Sequence, residues 1–237
     1  MPRNRLLALS GAIAAAIVAV VVIVVFVGSG SGSSASTTTT ASTTSTDTRP
    51  EAVSTFAGVP QEGDTLGKAS APVTLTIFED PQCPYCRQFN IDTLPTVVQN
   101  YVRTGRIKIA YRGVVVIGSN SLAGLAAIYA AAEQNKLWQM AEALYERQGD
   151  ENSGWITTAV VRNAAREIGL DPAKIVTAMK SNSVVAKIRS SINEAQNLGI
   201  KGTPTFATQR PLGQLQQLQV SGLEPSEFTP ALDQALR

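Results

Sequence analysis

The sequence predicts an α/β domain with a block of helices inserted in its middle, carried behind one membrane-crossing helix. Three observations lead there. Leu6 to Val27 (LLALSGAIAAAIVAVVVIVVFV) holds no charged residue. Strand-like and helix-like runs alternate from about Phe56 onward. The two cysteines, Cys83 and Cys86, fall between the first strong strand and the first helix of that region.

As a helix, Leu6–Val27 would rise about 33 Å at ~1.5 Å per residue, enough for a hydrocarbon core of about 30 Å. Arg3 and Arg5 precede it and the next basic residue is Arg49. The positive-inside rule therefore leaves residues 1–5 in the cytoplasm and everything after the span outside. The run exceeds the roughly 7–15 apolar residues of a cleaved signal peptide, which favours a retained single-pass anchor at 6–27. Gly28 to Arg49 is almost wholly Gly, Ser, Thr and Ala. It cannot bury enough apolar surface to offset its ordering entropy, so residues 28–55 are expected to be a disordered tether, its ends roughly 25–30 Å apart. Residues 56–237 form the remaining domain.

Within it, Val73 to Phe78 is β-branched and largely apolar, as a buried strand is. Asp80-Pro81-Gln82 ends the strand. Cys83 to about Arg103 is expected to be a helix with Phe89, Leu94, Val97, Val98 and Tyr101 as its apolar stripe, kinked at Pro95. Gly105 stops it, and Arg106 to Arg112 alternates as a second strand. Ser121–Asn135, Leu137–Arg147, Thr157–Gly169 and Pro172–Leu198 carry helical periodicity, with Asp171 capping and Pro172 in a first turn. They make up the helical insertion, about 117–196. Strand character returns at Thr205-Phe206-Ala207 and around Leu218-Gln219-Val220, after a loop containing Gly213, and Pro225 to Leu236 closes the chain as a helix.

Composition excludes several chemistries. There is no histidine, which removes Ser-His and Cys-His catalysis and most zinc and haem sites. The net charge of +2 and 5% aromatic content do not suit a nucleic-acid binder. Four readings remain for Cys83-Pro84-Tyr85-Cys86. A structural disulfide would close a minimal loop and stabilise little. A zinc site lacks its other ligands. Inert core thiols are open to any cysteine pair. A redox-active dithiol is the reading the surroundings support. The pair follows a strand and opens a helix, with Pro84 at the first helical position, so unpaired amides and the helix dipole favour thiolate at Cys83. Cysteines so placed have pKa values of about 3.5–7.5, against about 8.5 when free. Cys83 is then the exposed, attacking sulfur, and Cys86, one turn on, the buried resolving one.

A second signal is Gly199-Ile200-Lys201-Gly202-Thr203-Pro204-Thr205-Phe206. A cis Thr203-Pro204 bond would leave the Thr203 backbone free to pair with an extended substrate segment beside Cys83. Phe78, Phe89, Leu94 and Trp138 are expected in the core, Trp155 in either a substrate groove or the interior, and Lys108, Lys187, Arg189 and Lys201 as solvated charges.

FEDPQCPYC, the strand before it, and GTPTF together resemble the thioredoxin superfamily, specifically its DsbA-like branch of exported thiol oxidoreductases. Gly63 to Gly67, Ala71 to Thr74, Tyr111-Arg112 and Leu137-Trp138 look like that branch too. The resemblance covers about Val59 to Arg237. It implies a thioredoxin-like fold with an inserted helical domain, Cys83 and Cys86 as catalytic residues, Pro84 and Tyr85 as tuning residues, and Thr203 and Pro204 as the substrate-binding loop. Many strongly oxidising relatives have histidine where Tyr85 stands, and a phenol brings no positive charge to the thiolate. The branch also often carries a buried carboxylate six residues before the first cysteine, to relay a proton for the resolving thiol. Here that position is Ile77, leaving Glu79 and Asp80 as candidates for the relay.

The function expected is therefore dithiol exchange that introduces disulfides into reduced exported polypeptides. Its potential should lie between about −270 mV and about −120 mV, the values of thioredoxin and DsbA. No cofactor or metal is needed, because the two sulfurs carry both electrons. The resemblance implies a membrane oxidase, DsbB-like or of the vitamin K epoxide reductase type, as the regenerating partner. Two alternatives stand beside this reading: a tethered reductase or isomerase using the same dithiol, and a non-catalytic module that keeps only the peptide groove.

Overall fold

A computed structural model describes residues 55–237. The expected cytoplasmic residues 1–5, the anchor 6–27 and the tether residues 28–54 lie outside the described residues. Among the described residues no helix is long and apolar enough to cross a membrane.

Six strands form one sheet: β1 (Gln61–Glu62), β2 (Thr65–Leu66), β3 (Thr74–Glu79), β4 (Lys108–Gly113), β5 (Thr205–Gln209) and β6 (Gln216–Leu218), in the order β1-β2-β4-β3-β5-β6. β3 and β4 run parallel, with Ile77 opposite Tyr111, and every other pair is antiparallel. The parallel pair needs a crossover, and the segment that opens at Pro84 supplies it. β1 and β2 form a short hairpin without the alternating apolar run that marks longer strands.

The crossover is not one regular helix. α1 (Pro84–Gln88) passes into a π-helical turn at Phe89–Thr93, α2 (Leu94–Val97) follows, and a second π turn covers Val98–Val102. The Leu94 N–H donates to the Phe89 carbonyl five residues back, so the wide turn comes directly before Pro95. A widened turn is how a helix accommodates a residue that breaks its regular ladder. All five expected stripe residues are buried. Beyond this segment, the Arg103 guanidinium donates to the carbonyls of Thr55 and Ala57.

The insertion lies between β4 and β5: α3 (Ser121–Ala132), α4 (Leu137–Glu146), α5 (Thr158–Glu167), α6 (Pro172–Ala178) and α7 (Asn182–Asn197). The single helix expected over Pro172–Leu198 is two. Ser181 interrupts it, its Oγ accepting from the Val184 N–H and starting α7 as a new N-cap. Asp171 caps α6 as expected, accepting from the Ala173 and Lys174 N–H groups. α8 (Pro225–Ala235) ends the chain.

One face of β3 and β5 meets a cluster of Phe89, Phe206 and Phe228, with ring centroids 4.7–5.1 Å apart, which joins the crossover, β5 and α8. Trp138 is buried among Phe56 and Tyr111. Trp155 is half-buried and packed against the core. Phe78 packs on the opposite face with Val114, Ala195 and Ala207. Lys108 is half-buried and donates to the Ala69 carbonyl instead of standing free in solvent.

α3 approaches the segment before the cysteines so closely that a Cβ on Gly124 would lie 2.7 Å from Cβ of Pro81. Gly124→Ala is therefore expected to lower the unfolding free energy by about 1–3 kcal/mol, the usual scale of core overpacking, read from urea midpoints at unchanged slope.

Candidate active site

Strand alternation delivers one carboxylate to the site. Leu75, Ile77 and Glu79 share one face of β3, and Thr76 and Phe78 the other. After Asp80 the chain turns, the Cys83 N–H donating to the Asp80 carbonyl at 2.9 Å, and α1 begins. Cys83 occupies the N-cap in extended geometry, with Pro84 behind it in the first turn. Cys86 follows on the buried side of α1, fully enclosed.

Both sulfurs are free thiols. Cys83 Sγ donates to the Thr203 carbonyl oxygen at 3.2 Å, and the Thr203-Pro204 bond is cis, so the two distant sequence signals meet. Cys83 is not the exposed sulfur expected: it is 3% accessible, while Tyr85 beside it is 63% accessible. The Thr203-Pro204 loop lies against its sulfur. From the insertion, the Gln148 side chain donates to the carbonyls of Pro81 and Cys83.

Despite that enclosure, the Cys83 thiol is held down to about 6 from an ordinary 9.0. The Cys86 thiol donating to its sulfur is the largest cause. Burial opposes it, and the Thr203 side chain and the backbone amides of Cys86 and Tyr85 add to the lowering. The buried Thr203 hydroxyl makes no hydrogen bond to another group, which leaves it for the Cys83 sulfur. Cys86 is pushed well above its ordinary value by burial first, then by its bond to Cys83 and by the charge of Glu79. The dithiol therefore has one acidic and one strongly basic sulfur.

The two relay candidates separate cleanly. Glu79 is fully buried, and its Oε1 accepts from Asn90 Nδ2 at 2.6 Å. The same Nδ2 donates to the Cys86 carbonyl at 2.9 Å. Tyr145 Oη lies 3.4 Å from the other carboxyl oxygen. Burial raises Glu79 from 4.5 to about 8, against the lowering by Asn90 and Tyr145. Asp80 does not face Cys86 with its side chain. Its Oδ1 accepts from the Gln82 N–H and Ser121 Oγ, and its Oδ2 from the Val116 and Ile117 N–H groups. With both oxygens engaged, Asp80 fastens the loop before Cys83 to the start of the insertion. Its backbone, not its side chain, serves the site, the carbonyl accepting from the Cys83 N–H and the amide favouring the charged form of Cys86. Gln82 strengthens that fastening through Ser121 Oγ and the Asn152 N–H. Among the described residues no cluster of His, Cys, Asp or Glu could hold a metal.

A family model described as thioredoxin matches residues 61–210. The chain belongs to the thioredoxin family. Within that family it is similar to disulfide bond formation protein D of Bacillus subtilis, 28% identical over 144 residues that cover 60% of this chain and 65% of that protein. A thioredoxin-like oxidoreductase from Silicibacter pomeroyi is 30% identical, with a TM-score of 0.57 over 75% of this chain and 91% of that one. Oxidised BdbD from Bacillus subtilis shares the fold with a TM-score of 0.64 at 22% identity, over 75% of this chain and 97% of that one. The arrangement is DsbA-like: a thioredoxin core with a helical insertion, and the chain is a thiol-disulfide oxidoreductase of that kind.

Asn90, Tyr145, Gln82 and Gln148 were not among the residues singled out from the sequence. Asn90 carries a local signal, standing one helical turn after Cys86 on the same face. Gln82 adjoins Cys83 in the chain, but its partners Ser121 and Asn152 are distant, and Tyr145 and Gln148 reach the site through tertiary packing without a local signal.

The raised Glu79 gives a signed pH dependence. In the unfolded chain its proton leaves near pH 4.5, in the folded one near 8, so its burial weakens folding increasingly as pH rises from 4.5 through 8. Glu79→Gln is expected to stabilise the reduced protein at pH 8 by on the order of 2–4 kcal/mol, and to have no such effect at pH 4.5. Urea unfolding at the two pH values measures both.

Proposed function

We propose that this chain introduces disulfides into reduced exported polypeptides through Cys83 and Cys86, held outside the cytoplasmic membrane by the anchor at 6–27. The observation that carries the reading is the low-pKa Cys83 at the start of α1, against the Thr203-Pro204 loop and above an enclosed Cys86. The likeness to disulfide bond formation protein D supports the direction. The charge-free run of Leu6–Val27 and the Arg3/Arg5 flank support the placement.

In the oxidised enzyme a substrate thiolate attacks Cys83 Sγ and the Cys83–Cys86 bond breaks. Cys86 leaves as a thiolate and takes the proton that Glu79 holds at neutral pH. The substrate's second thiolate then attacks its own sulfur in the mixed disulfide and expels Cys83, stabilised as a thiolate by the groups around it. Two electrons pass from substrate to enzyme and no cofactor takes part. Thr203 offers backbone to the substrate chain, while Pro84 sets the helix start and exposed Tyr85 lies where a client would rest. A membrane oxidase, DsbB-like or of the vitamin K epoxide reductase type, restores the disulfide.

Tyr85 supports a second direction. Its ring stands in solvent and brings no cation to Cys83, which moderates oxidising power and suits a reductase or isomerase. Oxidised protein mixed with a reduced, unfolded two-disulfide polypeptide is expected to form client disulfides stoichiometrically, Cys83→Ser to form none, and Cys86→Ala to form none from its own dithiol. Client oxidation by Cys83→Ser would refute the assignment. Alkylation trapping in intact cells separates the directions: mostly oxidised Cys83–Cys86 fits disulfide formation, mostly reduced fits the reverse.

A further inference from the structure

We propose that Asn90 is a positioning residue for proton transfer at Cys86, its single amide nitrogen clamping the Glu79 carboxyl to the backbone of the resolving cysteine. The inference rests on the reading of Glu79 as the proton relay. The observation behind it is one donor group with two acceptors: Glu79 Oε1 at 2.6 Å and the Cys86 carbonyl at 2.9 Å. Both acceptors are buried, and Asn90 itself is 4% accessible. The bond to Cys86 spans one helical turn, while the bond to Glu79 spans the gap between crossover and sheet. Asn90 stands in the first π turn, whose widened ladder starts at Phe89. π turns recur at functional sites because they re-aim one residue without ending the helix.

The clamp does two things. It fixes which carboxyl oxygen is held tightly, since Oε1 accepts from Asn90 at 2.6 Å, while Oε2, which accepts only the longer 3.4 Å bond from Tyr145 Oη, is the one left for exchange. It also favours the charged carboxylate, which burial opposes. The titratable groups around Glu79 are Cys83 at the N-cap of α1, Cys86 on α1, Tyr145 on α4, Tyr111 on β4 and Asp80 beside it on the chain. None of them is a cation, so the Asn90 amide is a main counterweight to desolvation there. In the direction of mixed-disulfide resolution the Cys86 S–H gives its proton to the Glu79 carboxylate. The thiolate attacks Cys83 Sγ, the bond from Cys83 to the client sulfur breaks, and the client leaves as a thiolate.

The test is stopped-flow reaction of the reduced full-length protein with 5,5′-dithiobis(2-nitrobenzoate). Cys83 releases the first thionitrobenzoate, and Cys86 releases the second as it closes the disulfide. The first phase should follow the Cys83 ionisation near pH 6 in every variant, which also confirms a folded site. The second should show an inflection near pH 8 in the wild type. In Asn90→Leu that inflection should move upward and the second phase slow about tenfold at pH 7, the scale of one hydrogen bond to a charged group. Asn90→Gln, which keeps an amide, should recover most of the rate. Should Asn90→Leu not fold, Asn90→Ala carries the same comparison. An unshifted second phase in the Asn90 variants, with the inflection lost in Glu79→Gln, overturns the positioning role and leaves the relay standing. An inflection that survives in Glu79→Gln overturns the relay itself.

Discussion

Charge on a sulfur that water barely reaches is the constraint around which this domain is arranged. Cys83 is nearly enclosed, and enclosure alone would raise its pKa and silence it. What reverses the sign is a set of donors that converge on one atom: the Cys86 thiol, the Thr203 side chain and the amides of the first turn of α1. Each belongs to a different stretch of the chain, or to a different part of one turn. The sheet brings them together, because β3 ends where the helix begins and β5 starts at Thr205, directly after the loop that touches the sulfur.

Beneath that atom lies a second tier with the opposite character. Cys86 and Glu79 are both fully buried, both shifted toward their neutral forms, and each disfavours ionisation of the other. Two such coupled groups lose their protons as a pair, and ionisation of either one makes ionisation of the other harder. The aromatic packing of Phe89, Phe206 and Phe228 keeps this tier dry from one side, and Tyr111, Tyr145 and Trp138 close it from the other. The helical insertion thus shapes the chemistry from a distance, through Tyr145 below the sulfurs and through Ser121, Gln148 and Asn152 around the loop that leads to them.

Much of this was legible beforehand because it is local. The order of strands and helices, the cysteine pair at a helix start and the proline before a strand are all properties of short windows. Non-local features were not. The exposure of Cys83 depends on Thr203, 120 positions later, which no window contains. The division of Pro172–Leu198 hinged on the cap at Ser181, a residue that also reads comfortably as helix interior. Of the paired candidates Glu79 and Asp80, one could have been chosen from period alone: Glu79 shares the parity of Ile77, the position where related chains carry their carboxylate, and Asp80 does not. The π turns left no compositional mark except Pro95, which foretold a kink but not its form.

The guanidinium of Arg103 ties down Thr55 and Ala57 at the end of the crossover segment, whose other end is Pro84 beside the reactive sulfur. Replacing that guanidinium would free two carbonyls at one end of the segment and leave the dithiol at its other end untouched.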